Sequence, residues 1–204
     1  IAAGGVTLSQ PDTNLAANVI YNQTVYTFDI TAGVGGLVGV TLDGRAVSAA
    51  NPTEVSSVTI DGITATLVQP YGGTGRMYGA IAYATSVSSG TVEVVVTLTA
   101  AANHCIWNPF TITDFTSSTH NDSFHVSKLT GSVTLLSSTL DVLAGGCVVA
   151  MAAGNYNERG DTIAFTGVDL IDNQRVRLTA HVLAVGGIDG LAAETGRTIS
   201  ADFT

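Results

Sequence analysis

The sequence is short of charge. Asp, Glu, Lys and Arg make up 11% of its 204 residues, against about a quarter in an ordinary soluble domain. Basic side chains are the scarcest: Lys128 is the single lysine, and the seven basic residues face sixteen acidic ones for a net charge of −9. Displacing counterions from phosphates takes clustered Lys and Arg, and the closest pair here is Arg175 and Arg177. Nucleic acid is therefore not expected as a partner. No apolar run reaches the ~18 residues of a membrane-spanning helix, so membrane insertion is not expected either. The chain starts at Ile1 without a methionine or a recognisable signal peptide, as a processed chain or a fragment does.

Catalytic signatures are missing too. Neither Gly-x-Ser-x-Gly nor His-Glu-x-x-His occurs. Glu93 is one of only four glutamates. It is a candidate for the carboxylate pair of glycoside hydrolysis, but it alternates out of a Val-rich strand and reads as solvent-facing. No enzyme is expected. Two cysteines, Cys105 and Cys147, both in apolar surroundings, leave two readings open. Either both are buried thiols acting as small hydrophobes, or they form one disulfide between strands, worth roughly 3–4 kcal/mol and implying an oxidising compartment. No window carries a 3.6-residue apolar stripe over three turns, which removes the amphipathic helix as a building unit.

What remains is a chain of strands. Hydrophobic residues reach 46%, and 23 glycines join abundant Thr, Ser, Ala and Val, so the polar surface is mostly hydroxyl. Residues 55–60 and 63–68 flank Asp61-Gly62, the pair favoured by a two-residue type I′ turn because both central residues need φ > 0. Strands follow at 76–84 and 91–99, then a small turn at 100–103 and a strand at 105–115. Pro109, lacking a ladder N–H, predicts an edge or a bulge in that last strand. Before them, 25–30 alternates and 37–42 is another strand, ended by Asp43-Gly44. Val40-Thr-Leu-Asp-Gly and Val58-Thr-Ile-Asp-Gly are near copies, and the first predicts a second hairpin. Short strands at 133–136 and 138–142, then strands at 147–153, 162–168, 175–185 and 198–203, complete the chain, with a loop at 186–196. This spacing predicts an all-β, antiparallel, jelly-roll-like β-sandwich over 55–204. Asn51-Pro52-Thr53-Glu54 separates it from an N-terminal β segment, 1–54, expected to attach or oligomerise.

Candidate site residues are few. Tyr71, Trp107 and Tyr156 offer aromatic faces on which a sugar ring stacks, although a lone Trp in a sandwich is more commonly core. Asn155, Asn157, Glu158 and Asp161 form the most oxygen-rich loop. Hard Ca²⁺ takes six to eight such oxygens, which makes it the one cofactor to weigh against a plain solvated turn. His120 and His125 flank Asn121-Asp122-Ser123 at a spacing that suits Zn ligands, or simply sit in an exposed polar loop. His104 and His181 fall in strands.

Several stretches carry a resemblance: Val58-Thr-Ile-Asp-Gly-Ile-Thr-Ala-Thr-Leu-Val, Gly79-Ala-Ile-Ala-Tyr, Ser89-Gly-Thr-Val-Glu-Val-Val-Val-Thr, Ala144-Gly-Gly-Cys-Val-Val-Ala and the closing Ser200-Ala-Asp-Phe. Over about residues 55–204 the chain resembles β-sandwich domains of phage and prophage structural proteins, mostly from alphaproteobacteria. The resemblance implies a virion surface component, a fibre, spike or decoration module, whose partners are its own copies and other virion proteins, with a host-surface glycan as a further ligand. It transfers no catalytic residue. Two other readings stand beside it: a secreted carbohydrate-binding module, and an extracellular filament subunit assembled by strand exchange.

Overall fold

The computed structural model describes residues 7–9, 19–34, 36–48, 52–72, 77–115, 117–126, 135–155, 163–176 and 181–203. Among them there is no helix, and the strands whose register is resolved pair antiparallel. The all-β, sandwich-like character read from alternation and turn spacing is what the chain adopts. It divides into two compact units, Ser9–Ile112 and Thr113–Thr204, the latter taken with Ile1–Leu8. A three-residue strand, β1 (Thr7–Ser9), spans the point of division.

The first unit holds β2 (Val19–Ala32), β3 (Leu37–Ala46), β4 (Val55–Ile60), β5 (Ile63–Thr64), β6 (Thr66–Tyr71), β7 (Met77–Ala84) and β8 (Gly90–Thr113). The sheet is organised on β8, which is 24 residues long. One edge of β8 takes β2, from Ala32 opposite Gly90 to Val19 opposite Ile106. The other takes β4 along Val94–Leu98 and β3 along 102–112. Because β5 pairs β4 and β6 pairs β7, with only Ala65 between β5 and β6, the order β8–β3–β7–β6/β5–β4 comes round on itself and nearly closes. Val38, Val40 and Leu42 face Ala84, Ala82 and Ala80. The small alanines leave room for the larger partners, and Val58, Ile60, Val94 and Val96 complete a core in which every one of these is nearly inaccessible. Each buried Val, Leu or Ile contributes roughly 1.5–3 kcal/mol.

Asp61 and Gly62 form the two-residue hairpin turn, with φ of 54° and 72° and Ile60 opposite Ile63. The Asp61 carboxylate accepts from the Ser88 N–H at 3.0 Å. A Cβ on Gly62 would meet nothing within 4 Å, so any cost of replacing it lies in the backbone. Gly62→Val is expected to destabilise by about 1–2 kcal/mol and Gly62→Asn by far less, since Asn tolerates this conformation. Equal melting temperatures for the two variants would refute the conformational account.

Several sequence expectations need correction. Asp43-Gly44 is not a second hairpin but the interior of β3, paired with β7 on one side and β8 on the other. The strands expected at 91–99 and 105–115 are one strand, β8. Instead of a turn near Ala100 there is a bulge, with Gln23 opposite Ala102 and Val25 opposite Thr97. It lies where β8 exchanges β4 for β3, and the Thr53 hydroxyl reaches the Ala100 and Ala101 carbonyls there at 3.5 Å. In the C-terminal part, the strand expected at 175–185 is two strands that pair with Val176 opposite His181, and the loop expected at 186–196 is mostly strand. The boundary placed at residue 54 falls inside the first unit, because β3 and β4 both pair with β8.

The second unit holds β9 (Leu135–Val142), β10 (Gly146–Asn155), β11 (Ile163–Thr166), β12 (Asp169–Val176), β13 (His181–Leu191) and β14 (Glu194–Phe203). Two three-stranded sheets form, β10–β13–β12 and β11–β14–β9. Ala152 and Ala184 from the first meet Ile163 and Ala201 from the second, and Val148 meets Val142 and Ile199. These contacts make the unit a small sandwich. Gly186, expected to break the chain, continues β13. A Cβ there would lie 2.8 Å from the Asp169 carbonyl and 3.0 Å from Val168, so its role is close approach.

Candidate functional site

Buried polar groups gather on the first unit where β8, β3, β7 and β6 run side by side. Register sets them in rows. Ile106, Asp43, Gly79 and Tyr71 form one row across the four strands. Tyr21, His104, Arg45 and Met77 form the next, starting from β2. Thr41 and Asn108 pair further along β3. Asp43, Thr41, His104 and Asn108 are buried, Arg45 and Tyr71 are half-buried, and Tyr21 is exposed.

Gly79 explains how Tyr71 reaches Asp43. A Cβ at Gly79 would stand 2.8 Å from both Cε1 and the hydroxyl of Tyr71. With none there, the ring crosses β7 and donates its O–H to Asp43 Oδ1 at 2.6 Å. Burial, and then the Asp43 carboxylate beside it, push the Tyr71 hydroxyl well above the usual phenol range. On the opposite face, the missing Cβ of Gly44 makes room for Tyr78, whose hydroxyl donates to the His104 carbonyl at 2.8 Å. Tyr26 donates to the Ala102 carbonyl at 3.1 Å. Burial raises the Tyr26 phenol to about 12, with a hydrogen bond from the Gln23 backbone working against it. Burial likewise takes the Cys105 thiol up to about 12, partly offset by a hydrogen bond with Tyr78.

These groups hold protons firmly. A thiol near 12 is not a thiolate at neutral pH and so is not a nucleophile there, and the phenols are spent as donors inside the fold. Within the fold these hydroxyls anchor strands to one another. Removing one donor tests the anchoring: Tyr71→Phe strips a hydrogen bond to a carboxylate and is expected to cost about 1.5–3 kcal/mol. A urea titration followed by the fluorescence of Trp107, the only tryptophan, measures it, and an unmoved midpoint would exclude the anchoring role.

The residues singled out from sequence scatter. Trp107 is buried and stacked on Phe28, centroids 3.9 Å apart, on the sheet face opposite Tyr71. The two rings therefore share no platform. Tyr156 lies outside the described residues, as do Asn157, Glu158 and Asp161; of the oxygen-rich set only the backbone of Asn155 is described, opposite His181 at the end of β10. Among the described residues no three of His, Cys, Asp and Glu gather as metal ligands. His120 and His125 are exposed. Asp122 between them accepts from the Ser123 and Asp141 N–H groups at 2.7 and 2.8 Å. Partial desolvation of its ring lowers the His125 imidazole. Cys105 and Cys147 are free thiols, the second raised to about 11 chiefly by burial. Glu93 is exposed and stands directly opposite exposed Asp29. An acid–base pair needs one carboxyl in apolar surroundings, and here both face outward.

Tyr78 was not singled out from sequence, Asp43 was read only as half of a turn, and His104 was placed only in a strand. The signal was present, since an Asp-Gly inside an alternating run is also how a buried carboxylate and a close contact are spelled. No family model matches the chain, and no curated protein or solved structure shows significant similarity to it.

Proposed function

We propose that the chain is a non-enzymatic structural and interaction component of a virion surface, a fibre, spike or decoration module that works through contacts with its own copies and with neighbouring virion proteins. The observation that carries this reading is the outward face of the exposed strands. β2 presents Tyr21, Val25, Thr27 and Thr31, and β9 presents Leu135, Ser137 and Thr139, with Asp29 and Asp141 as the charges between them. Weakly charged surface of this kind on a chain of mean hydropathy +0.38 favours protein contact. Nine net negative charges oppose it only modestly, being screened within about 8 Å at physiological salt. The generic strand-and-turn likeness to virion sandwich domains points the same way.

Light scattering on the purified chain over a hundredfold concentration range is the first test, and association into a defined oligomer is the expected result. Peptide mass mapping of particles purified from the encoding strain is the second. A chain absent from particles and monomeric throughout would overturn the reading. A glycan array with clear hits on such a monomer would replace it with the carbohydrate-binding alternative.

A further inference from the structure

One edge of the second unit is finished by side chains rather than by a strand. Asp141, near the end of β9, gives its backbone N–H to Asp122 Oδ2 at 2.8 Å, and its carbonyl accepts from Asn121 Nδ2 at 3.1 Å. Its carboxylate accepts from the Gly196 N–H at 2.8 Å, in β14. Asn121 and Asp122 thus complete at Asp141 the two hydrogen bonds that a neighbouring strand would make. The backbone groups of Asp141 therefore point away from β14. The irregular pairing here puts its extra residue on β14, between Glu194 and Arg197, against Leu140 to Val142, so alternation along β9 is unbroken. By that alternation the N–H and C=O groups of Leu135, Ser137 and Thr139 point to the same outer edge. Among the described residues no strand pairs with it. The three side chains are exposed and uncharged.

We propose that this edge of β9 pairs with the same edge of a second copy across a two-fold axis, and that Asn121 and Asp122 fix where the pairing stops. The proposal rests on the assembly reading above and names the surface. A two-fold interface must be complementary to itself. Centred on Ser137, the pairing sets Leu135 opposite Thr139 of the second copy at both ends and serine opposite serine in the middle. A basic peptide would call for carboxylates along the edge, which has none before Asp141. The two Asp141 residues of a pair fall about 27 Å apart at ~3.4 Å per residue, beyond the reach of screened repulsion. The result is a six-stranded sheet running through both copies.

In such a pairing the two Ser137 residues exchange hydrogen bonds, with Cα atoms about 5.5 Å apart, inside the disulfide range. Mild oxidation of full-length Ser137→Cys is expected to give mostly covalent dimer on a non-reducing gel. The parent chain, with its two free thiols, and Thr31→Cys, exposed on β2, should not. Thr139→Pro removes an outer N–H that the β14 ladder does not use, and should reduce the light-scattering mass twofold while circular dichroism stays unchanged. If the parent associates but Ser137→Cys fails to cross-link and Thr139→Pro keeps the parent mass, the β9 pairing is wrong and the assembly reading stands. If the parent is monomeric and nothing cross-links, both fall.

Discussion

Between pH 9 and pH 12 the first unit is expected to unfold in one cooperative step. Its buried acids are the reason. Cys105 rises from 9.0 to about 12 and Tyr26 from 10.0 to about 12 on folding, while Tyr71 and Tyr78 rise well above 10.0. When folding raises a pKa, the unfolded chain releases the proton first. The stabilisation is therefore complete below the unfolded value and drains away as pH climbs through the folded one. For Cys105 alone this amounts to about 4 kcal/mol by pH 12, against a total of 5–15 kcal/mol for a typical domain. Trp107 lies in the first unit, so its fluorescence reads that unit without the other. Phenolate absorbance from the buried tyrosines should grow in step with the fluorescence change. Cys105→Ala should start from lower stability, yet lose less of it across this window. A gradual titration of all six tyrosines around pH 10, with Trp107 undisturbed, would contradict the burial of these hydroxyls.

Gly44→Ala is expected to be among the most damaging single-methyl changes in the first unit. The added Cβ would stand 2.3 Å from the His104 carbonyl oxygen and 2.4 Å from the Tyr78 hydroxyl. Both lie in the paired centre of the sheet, and the carbonyl belongs to β8, so neither can swing aside. Overpacking of this kind costs about 3 kcal/mol at the upper end of its usual range. That is a fall in melting temperature of roughly 12–20 °C for a unit of this size. Adding Tyr78→Phe removes the hydroxyl but leaves the carbonyl, and should restore little. Thermal melts followed by Trp107 fluorescence decide it. A Gly44→Ala variant melting within about 3 °C of the parent would mean that β3 and β8 separate more easily than their register indicates.

The pair Val40-Thr-Leu-Asp-Gly and Val58-Thr-Ile-Asp-Gly marks how far the sequence could be read. Both end in Asp-Gly, and local propensity treats them alike. At Asp61-Gly62 the chain is free to turn and does. At Asp43-Gly44 two partner strands hold it extended, and the same letters serve other needs: a carboxylate for Tyr71, and a vacancy for Tyr78. Alternation identified the strand faces and the all-β class because it is a local property. It could not show that residues 91–99 and 105–115 are one strand, since a four-residue interruption looks the same as a turn or as a bulge until its neighbours are known. The same limit applied at 175–185, where Val176, Leu178, Ala180 and Val182 keep perfect alternation across a reversal that no Gly or Pro announces. For the site, the aromatic residues were visible and their faces were not. Trp107 and Tyr71 fall on opposite sides of one sheet by a parity that depends on register.

The reach of β8 has a consequence for how the chain is made. Val19 waits for Ile106, and Leu37 for Ile112, before either is paired. At roughly 5–20 residues per second of synthesis, the apolar stripe Tyr26, Phe28, Ile30 spends several to about fifteen seconds outside the ribosome with no edge to join. The hairpin at Asp61-Gly62 can close in that interval, because its two sides are adjacent. β3, β7 and β6 can also pair among themselves, but β2 and the β8-facing edges of β3 and β4 stay open until β8 is made. A nascent chain arrested before residue 90 should therefore be cut readily by protease within β2, whose partner is β8. Protection should arrive abruptly once β8 has cleared the exit tunnel, so that the strand added last to the sheet decides when the earliest ones fold.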